Sequence, residues 1–252
     1  MNLFKKFLTF LLIFFVLISF FNCKSSSTKV LTVGTNAEYP PFESKDEKTG
    51  EFVGIDMELI KLIADNLGMK LNIIDMDFDA LIPSLQAKKI DAAIAAITIT
   101  EERKNVVDFS IPYYIANQAI IAKKQSAIVI NSINDLAKYK IGVQNGTTGQ
   151  IYIDENLVAT GKMPPNNFIK YPTNIEAITD MLNGNIDLVI IDDSAAMGYS
   201  KLKPLKILFT IDTGENYGIA LPKGSKLLEK INEALKNILN SDKWNNILLK
   251  YL

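Results

Sequence analysis

The chain has 252 residues, 48% hydrophobic and 22% charged, with 27 Lys and Arg against 28 Asp and Glu, no His and one Cys. That length is the size of two domains or of one divided domain. Without His there is no Ser-His-Asp or Cys-His catalysis and no imidazole proton shuttle, and one Cys makes neither an internal disulfide nor a thiolate metal cluster. A formal charge of −1 offers no basic face for nucleic acid.

Lys5 and Lys6 precede an almost unbroken apolar run from Phe7 to Phe21, shorter than the ~20 residues that span a bilayer as a helix. Residues 1–22 are therefore expected to be a secretory signal peptide, the alternative being an uncleaved signal anchor. Cys23 follows, then the polar stretch Lys24 to Lys29. A lone Cys so placed resembles the lipidated Cys of a bacterial lipoprotein, although Phe20, Phe21 and Asn22 are not the small residues usual before it. Residues 23–29 then read as a lipid-anchored tether, with the remainder working in the periplasm or at the outer face of the cytoplasmic membrane. Removing residues 1–22 takes away two lysines and no acids, so the remaining 230 residues carry a formal charge of −3.

From Val30 onward, β-rich runs alternate with helical patterns, the signature of α/β layers around a mostly parallel sheet. Leu31–Val33 is a predicted strand. Ile55, Leu59, Leu62, Ile63 and Leu67 then fall at helical spacing and stop at Gly68. Leu71–Ile74 is the next strand, a helix containing Leu81, Ile82 and Leu85 follows, and Ala92 to Ile97 reads as a buried strand. Ser132-Ile-Asn-Asp135 and Thr173-Asn-Ile-Glu176 both match the helix-capping signal, each predicting a helix start. Ile141–Val143 and Leu188–Ile191 are the associated strands, and residues 225–250 form closing helices anchored by Trp244. Lys89-Ile90-Asp91 and Asn185-Ile186-Asp187 each enter an apolar strand, an internal echo that predicts two similar lobes.

Open α/β sheets bind ligands at the carboxyl ends of their parallel strands, which draws attention to Thr98, Thr100 and Arg103 after one strand and Asp192 and Asp193 after another. Asp75-Met-Asp77-Phe-Asp79 has the opening spacing of a calcium loop, but Ala80 replaces the required Gly and Gln86 the required Glu, so no metal is expected. Asn145-Gly146-Thr147-Thr148-Gly149 lacks the Gly-Lys-Ser/Thr of a phosphate loop. It serves either as a flexible turn or as an anion-binding loop of amides and hydroxyls. Arg103 taken alone is a solvated arginine, and Asp192 alone is a helix cap. Together they offer a guanidinium for a carboxylate and a carboxylate for an ammonium, the two ends of an amino acid.

These motifs, in their order, resemble the periplasmic polar and basic amino-acid-binding proteins of ABC importers (family 3 solute-binding proteins) from about Val30 to Leu252. The residues that carry the resemblance are Val33-Gly-Thr-Asn-Ala-Glu-Tyr-Pro-Pro-Phe42, Gly54-Ile-Asp-Met-Glu-Leu59, Phe78-Asp-Ala-Leu-Ile-Pro-Ser-Leu85, Thr98-Ile-Thr-Glu-Glu-Arg103, Val107-Asp-Phe-Ser110 and Pro112-Tyr-Tyr114. The resemblance implies an α/β, two-lobed periplasmic binding protein fold of type II with two hinge crossings, near residues 117–120 and 212–217. Lobe 1 would comprise residues 30–117 plus 217–252, and lobe 2 residues 118–216.

It also implies the site. Arg103 corresponds to the clamp for the ligand α-carboxylate, assisted by Thr98 and by the Thr147-Thr148 loop. Asp192 corresponds to the acceptor of the α-ammonium, and Tyr39 and Phe78 to aromatic walls around the ligand side chain. Asn36 stands where basic-specific relatives often carry Asp, and Ala95 or Ala96 where they often carry Ser, and Glu38 is the substitute source of negative charge. The expected function is a non-enzymatic, monomeric receptor that binds arginine, lysine or ornithine without a cofactor and delivers it to a membrane permease. The alternatives are a glutamine-like ligand, a cyclohexadienyl dehydratase-like enzyme on the same fold, and an extracytoplasmic sensor lobe. The last would need a membrane helix and signalling domain beyond Leu252.

Overall fold

The structure, a computed structural model, describes residues 29–252. The signal peptide and the lipidated Cys23 expected from the sequence lie outside the described residues. In chain order the protein forms β1 (Val30–Thr35), the short strands β2 (Glu38–Tyr39), β3 (Glu43–Lys45) and β4 (Phe52–Val53), helix α1 (Ile55–Asn66), β5 (Lys70–Asp75), α2 (Phe78–Gln86), β6 (Ala92–Ala93), the one-turn helix α3 (Glu101–Lys104) and β7 (Val107–Phe109). Strand β8 (Tyr114–Lys123) leads into β9 (Ile141–Gln144), α4 (Thr148–Ile153), β10 (Phe168–Tyr171), α5 (Asn174–Asn183), β11 (Leu188–Asp192), α6 (Asp193–Leu202) and β12 (Leu205–Tyr217). Strand β13 (Ala220–Pro222) and helices α7 (Leu228–Leu239) and α8 (Asp242–Tyr251) follow.

These strands build two five-stranded sheets, ordered β5-β1-β6-β13-β7 and β10-β9-β11-β8-β12. Each belongs to one lobe, so the fold is the two-lobed, type II α/β arrangement expected from the sequence. The first lobe forms where its helices bury their apolar stripes. In α1, Ile55, Met57, Leu59, Ile60 and Ile63 are buried. The helix ends as its glycine predicts: Gly68 adopts φ +62°, and the amides of Gly68 and Met69 close onto the carbonyls of Asp65 and Ala64 at 3.1 and 3.0 Å. Trp244 on α8 is buried and meets Tyr113 edge-on at 6.4 Å.

The internal echo has a physical counterpart. Asp91 accepts the Thr32 amide of β1 at 2.8 Å, and Asp187 accepts the Lys140 amide just before β9 at 2.9 Å. The same carboxylate thus ties the loop before an inner strand to its neighbour in each lobe.

Two local expectations need correction. The predicted strand Ala92 to Ile97 pairs only at Ala92–Ala93. Beyond it Ala96 turns to φ +48° and its amide is taken by the buried Asp56 carboxylate at 2.8 Å, which ends the ladder and opens the backbone toward the interlobe cleft. The Ser132 signal does form a reciprocal cap, but it opens a 3-10 turn over Ile133–Lys138 instead of an α-helix.

The chain passes between the sheets along β8 and β12, which pair antiparallel. Tyr217 lies opposite Tyr114 and Glu215 opposite Ala116, and a register irregularity separates these pairs from Ile211 opposite Gln118. Within that bulge Gly214 adopts φ +58°, and the amides of Thr213 and Gly214 are held by Asn117 Oδ1 at 3.1 and 3.0 Å. A bulge of this kind re-aims the side chain that follows it, here Glu215.

Candidate functional site

Arg103 sits in the single turn of α3, whose first residue is fixed by Thr100: its side chain caps the Arg103 amide at 3.2 Å. The side chain is only 8% exposed. Its guanidinium donates to the Thr98 carbonyl at 2.7 Å and to the Gly146 carbonyl on the opposite lobe at 2.9 Å. It also lies over the Phe78 ring, 5.6 Å from the centroid. Burial pushes its pKa down, while the nearby charges of Glu215 and Asp192 oppose that shift. Guanidinium carries five N–H donors, so the two carbonyls fix its plane and leave donors for a ligand.

Asp192 occupies the N-cap position of α6, but its side chain makes no capping bond. The carboxylate turns into the cleft instead, where Tyr217 Oη and Gln118 Nε2 donate to it. Asp192 Oδ is surrounded by buried groups, and burial together with the charge of Glu215 raises its pKa to about 7. The Asp192 amide donates to Tyr39 Oη on the other lobe at 3.3 Å.

Two further bonds cross the cleft. Gln144 Nε2 donates to Asn36 Oδ1 at 3.0 Å, and Tyr199 Oη donates to the Glu38 carbonyl. Within the second lobe, Gln144 Oε1 accepts from Asn174 Nδ2 at 2.6 Å. The two lobes thus meet around a small pocket lined from both sides. Arg103 and Asp192 both face it, and neither charge is consumed by the other: the first is held by carbonyls and the second by a phenol and an amide.

The cavity wall gathers Asn36, Tyr39, Phe78, Ala96, Thr98, Arg103, Thr147, Thr148 and Asp192 from the candidate residues. Glu38 is not part of it. Its carboxylate is pushed up in pKa by burial and lies near Thr173, Asp75 and Asp77, at the lobe junction beside the cavity. Asp75, the first acid of the calcium-like run, is committed to Lys45 at 2.6 Å and to the Ala37 amide at 2.9 Å.

Sequence reasoning missed Gln118, Gln144, Asn174 and Glu43, all of which line the cavity. Gln118, in Ala116-Asn-Gln-Ala119, lies at the expected crossing, and that position was the available signal. Glu43 is 1% exposed, and burial beside Asp56 pushes its pKa well up. It follows the Tyr-Pro-Pro-Phe run and carried no separate signal.

Residues 31–252 match the family of bacterial extracellular solute-binding proteins, family 3. The chain belongs to this family. It is 34% identical over 234 residues to ABC transporter arginine-binding protein 1 of Escherichia coli strain K12, covering 90% of this chain and 92% of that one. Among solved structures, an ancestral arginine-binding protein bound to arginine superposes with a TM-score of 0.82 at 42% identity, covering 88% of this chain and 98% of that chain. The arginine-, lysine-, histidine-binding protein ArtJ from Geobacillus stearothermophilus gives 0.80 at 37% identity, with coverage of 89% and 95%. A family 3 chain works on the extracytoplasmic side of the membrane.

Proposed function

We propose that this protein is an extracytoplasmic receptor that binds one free basic L-amino acid, arginine, lysine or ornithine, between its lobes and delivers it to the permease of an ABC importer. The observation that carries this reading is the pair Arg103 and Asp192, which face one cavity with their charges unspent on each other. A guanidinium with free donors accepts the α-carboxylate, and a buried carboxylate accepts the α-ammonium; a dry site tolerates a zwitterion only when both ends are met. Tyr39 and Phe78 wall the side-chain channel, where ring faces attract a cation. The names of the relatives, arginine-binding among them, point the same way.

In this reading the hinge divides the chain into residues 30–117 with 217–252 and residues 118–216, and closure brings Asp192 and the Thr147-Thr148 loop onto a ligand first held by Arg103. The protein acts as a monomer without a cofactor, tethered to the outer face of the membrane through lipid on Cys23. It is a binding protein and not an enzyme, as the names of its relatives, binding proteins throughout, suggest.

The test is a thermal-shift screen of protein lacking residues 1–23, refolded to strip carried ligand, against the twenty amino acids, ornithine and cyclohexadienyl acids. Ligand at ~1,000 times its dissociation constant adds ~4 kcal/mol and raises the melting temperature by ~8–16 °C. Shifts are expected with arginine, lysine or ornithine. Shifts with glutamine alone would replace the ligand class, and a response only to cyclohexadienyl acids would replace the receptor by an enzyme.

A further inference from the structure

Glu215 follows the bulge in β12 and is aimed into the junction of the two lobes. Its carboxylate accepts from four donors. Oε2 accepts from Thr98 Oγ1 at 2.8 Å and from Thr148 Oγ1 at 2.5 Å. Oε1 accepts from Gln118 Nε2 at 2.9 Å and from Thr213 Oγ1 at 3.1 Å. Thr98 comes from the first lobe, Thr148 from the second, and Gln118 and Thr213 from the crossing strands, so one side chain joins every part that moves on closure.

This carboxylate does not line the cavity, whereas Thr98, Thr148 and Gln118 do. A carboxylate is an acceptor only, and a hydroxyl has a single proton to donate. Once Thr98 and Thr148 have given theirs to Glu215, each hydroxyl turns only lone pairs toward a ligand. Lone pairs suit an ammonium and repel a carboxylate. The same logic applies to Gln118, whose amide donors go to Glu215 and Asp192.

We propose that Glu215 is a positioning residue of the binding site: from the second crossing strand it holds the protons of Thr98 and Thr148, so that both hydroxyls meet the ligand as acceptors and read its ammonium end beside Asp192. The carboxylate end is thereby left to Arg103, so the two hydroxyls do not assist it as the resemblance implied. Glu215 acts through these hydroxyls and touches no ligand atom. A glutamine here would present an amide donor to one of them and reverse its direction. The inference rests on the amino-acid receptor reading above.

The experiment is a double-mutant cycle on full-length mature protein, with L-arginine affinity measured by titration calorimetry and folding checked by thermal melting without ligand. Glu215→Gln is expected to weaken arginine binding about 10- to 100-fold, the range for losing hydrogen bonds at a charged group. In the Thr98→Val/Thr148→Val background the same change is expected to cost no more than about twofold, because its route to the ligand is already gone. A full additional loss there, or wild-type affinity in Glu215→Gln, would overturn the proposal. Should Glu215→Gln not fold, the single variants decide: Thr98→Val and Thr148→Val must weaken arginine while Thr98→Ser and Thr148→Ser must not, and any other order rejects it. If the wild-type protein binds no basic amino acid, the receptor reading itself fails, whereas tight wild-type binding with an indifferent Glu215 removes only this inference.

Discussion

The hydroxyl of Tyr217, from the strand that returns to the first lobe, donates to the carboxylate of Asp192 on the second. The bond fixes the Asp192 carboxyl in the cleft, facing the cavity. Burial and Glu215 raise the Asp192 pKa to about 7, so below that pH the unliganded carboxyl carries a proton. An incoming ammonium favours the ionised form and drives the proton off.

Arginine affinity should therefore rise with pH, by up to about tenfold per unit below pH 7, and level off above it. Calorimetry between pH 5.5 and 8.5, repeated in buffers of different ionisation enthalpy, should record close to one proton released at the acid end and almost none at the alkaline end. Asp192→Asn should abolish this proton release. It should also weaken binding by ~3–5 kcal/mol, about two to four orders of magnitude, since the ammonium is left without a buried counter-charge. A flat pH profile in the wild-type protein would show that Asp192 does not receive the ammonium.

Arg103→Lys tests geometry separately from charge. The guanidinium bonds the carbonyls of Thr98 and Gly146 and still has donors for a carboxylate, and a lysine ammonium cannot reproduce that planar fork. The expected outcome is a loss of at least about 100-fold in affinity by calorimetry, in line with an unmade charge-assisted pair, with little change in the melting temperature of the unliganded protein. Near-normal binding by the lysine variant would make Arg103 a point charge only.

The buried acids beneath the cavity govern stability. Asp56 accepts the Ala96 amide and the Tyr113 hydroxyl at 2.8 and 2.9 Å, yet burial still raises its pKa to about 6. An acid whose folded pKa is raised stabilises the fold while protonated. Its contribution is full below the unfolded value near 4 and is lost as pH climbs to 6. The melting temperature of Asp56→Asn relative to wild type should therefore rise between pH 4 and 6 and stay constant above. A difference that does not vary with pH would place the Asp56 pKa at its ordinary value.

The legible and illegible parts of the site differ for a physical reason. Arg103, Asp192 and the Thr147-Thr148 loop follow strand ends, where topology places ligands, and each carries a charge or donors that mark it locally. The capping signal at Thr173 was equally readable: its hydroxyl accepts the Glu176 amide at 3.1 Å and starts α5. Asp192 read alone has the spacing of a cap, yet its side chain leaves the helix for Tyr217 and Gln118. Glu215 and Gln144 could not be found by spacing, because their roles come from bonds across the cleft, and Asn174 because it acts through Gln144, 30 residues away. The early end of β6 was hidden for a related reason, since Asp56, 40 residues away, takes the Ala96 amide.

Lobe closure itself can be tested at Gly198, a residue of α6 with no ligand contact. A Cβ there would stand 2.5 Å from the Pro40 carbonyl oxygen and 3.0 Å from Pro41 Cδ, and both prolines belong to the opposite lobe. Backbone cannot yield as a flexible side chain would, so an added methyl should disfavour the closed arrangement by ~1–3 kcal/mol, as overpacking does. Alanine suits a helix interior better than glycine, so the lobe should not lose stability from the same change. Gly198→Ala is therefore expected to bind arginine about 5- to 100-fold more weakly, with an unliganded melting temperature no lower than that of the wild type. Small-angle scattering at saturating arginine should then show a larger radius of gyration than the liganded wild-type protein. Equal affinity and equal compaction in the two proteins would mean that α6 does not meet the Pro40-Pro41 turn when ligand is bound.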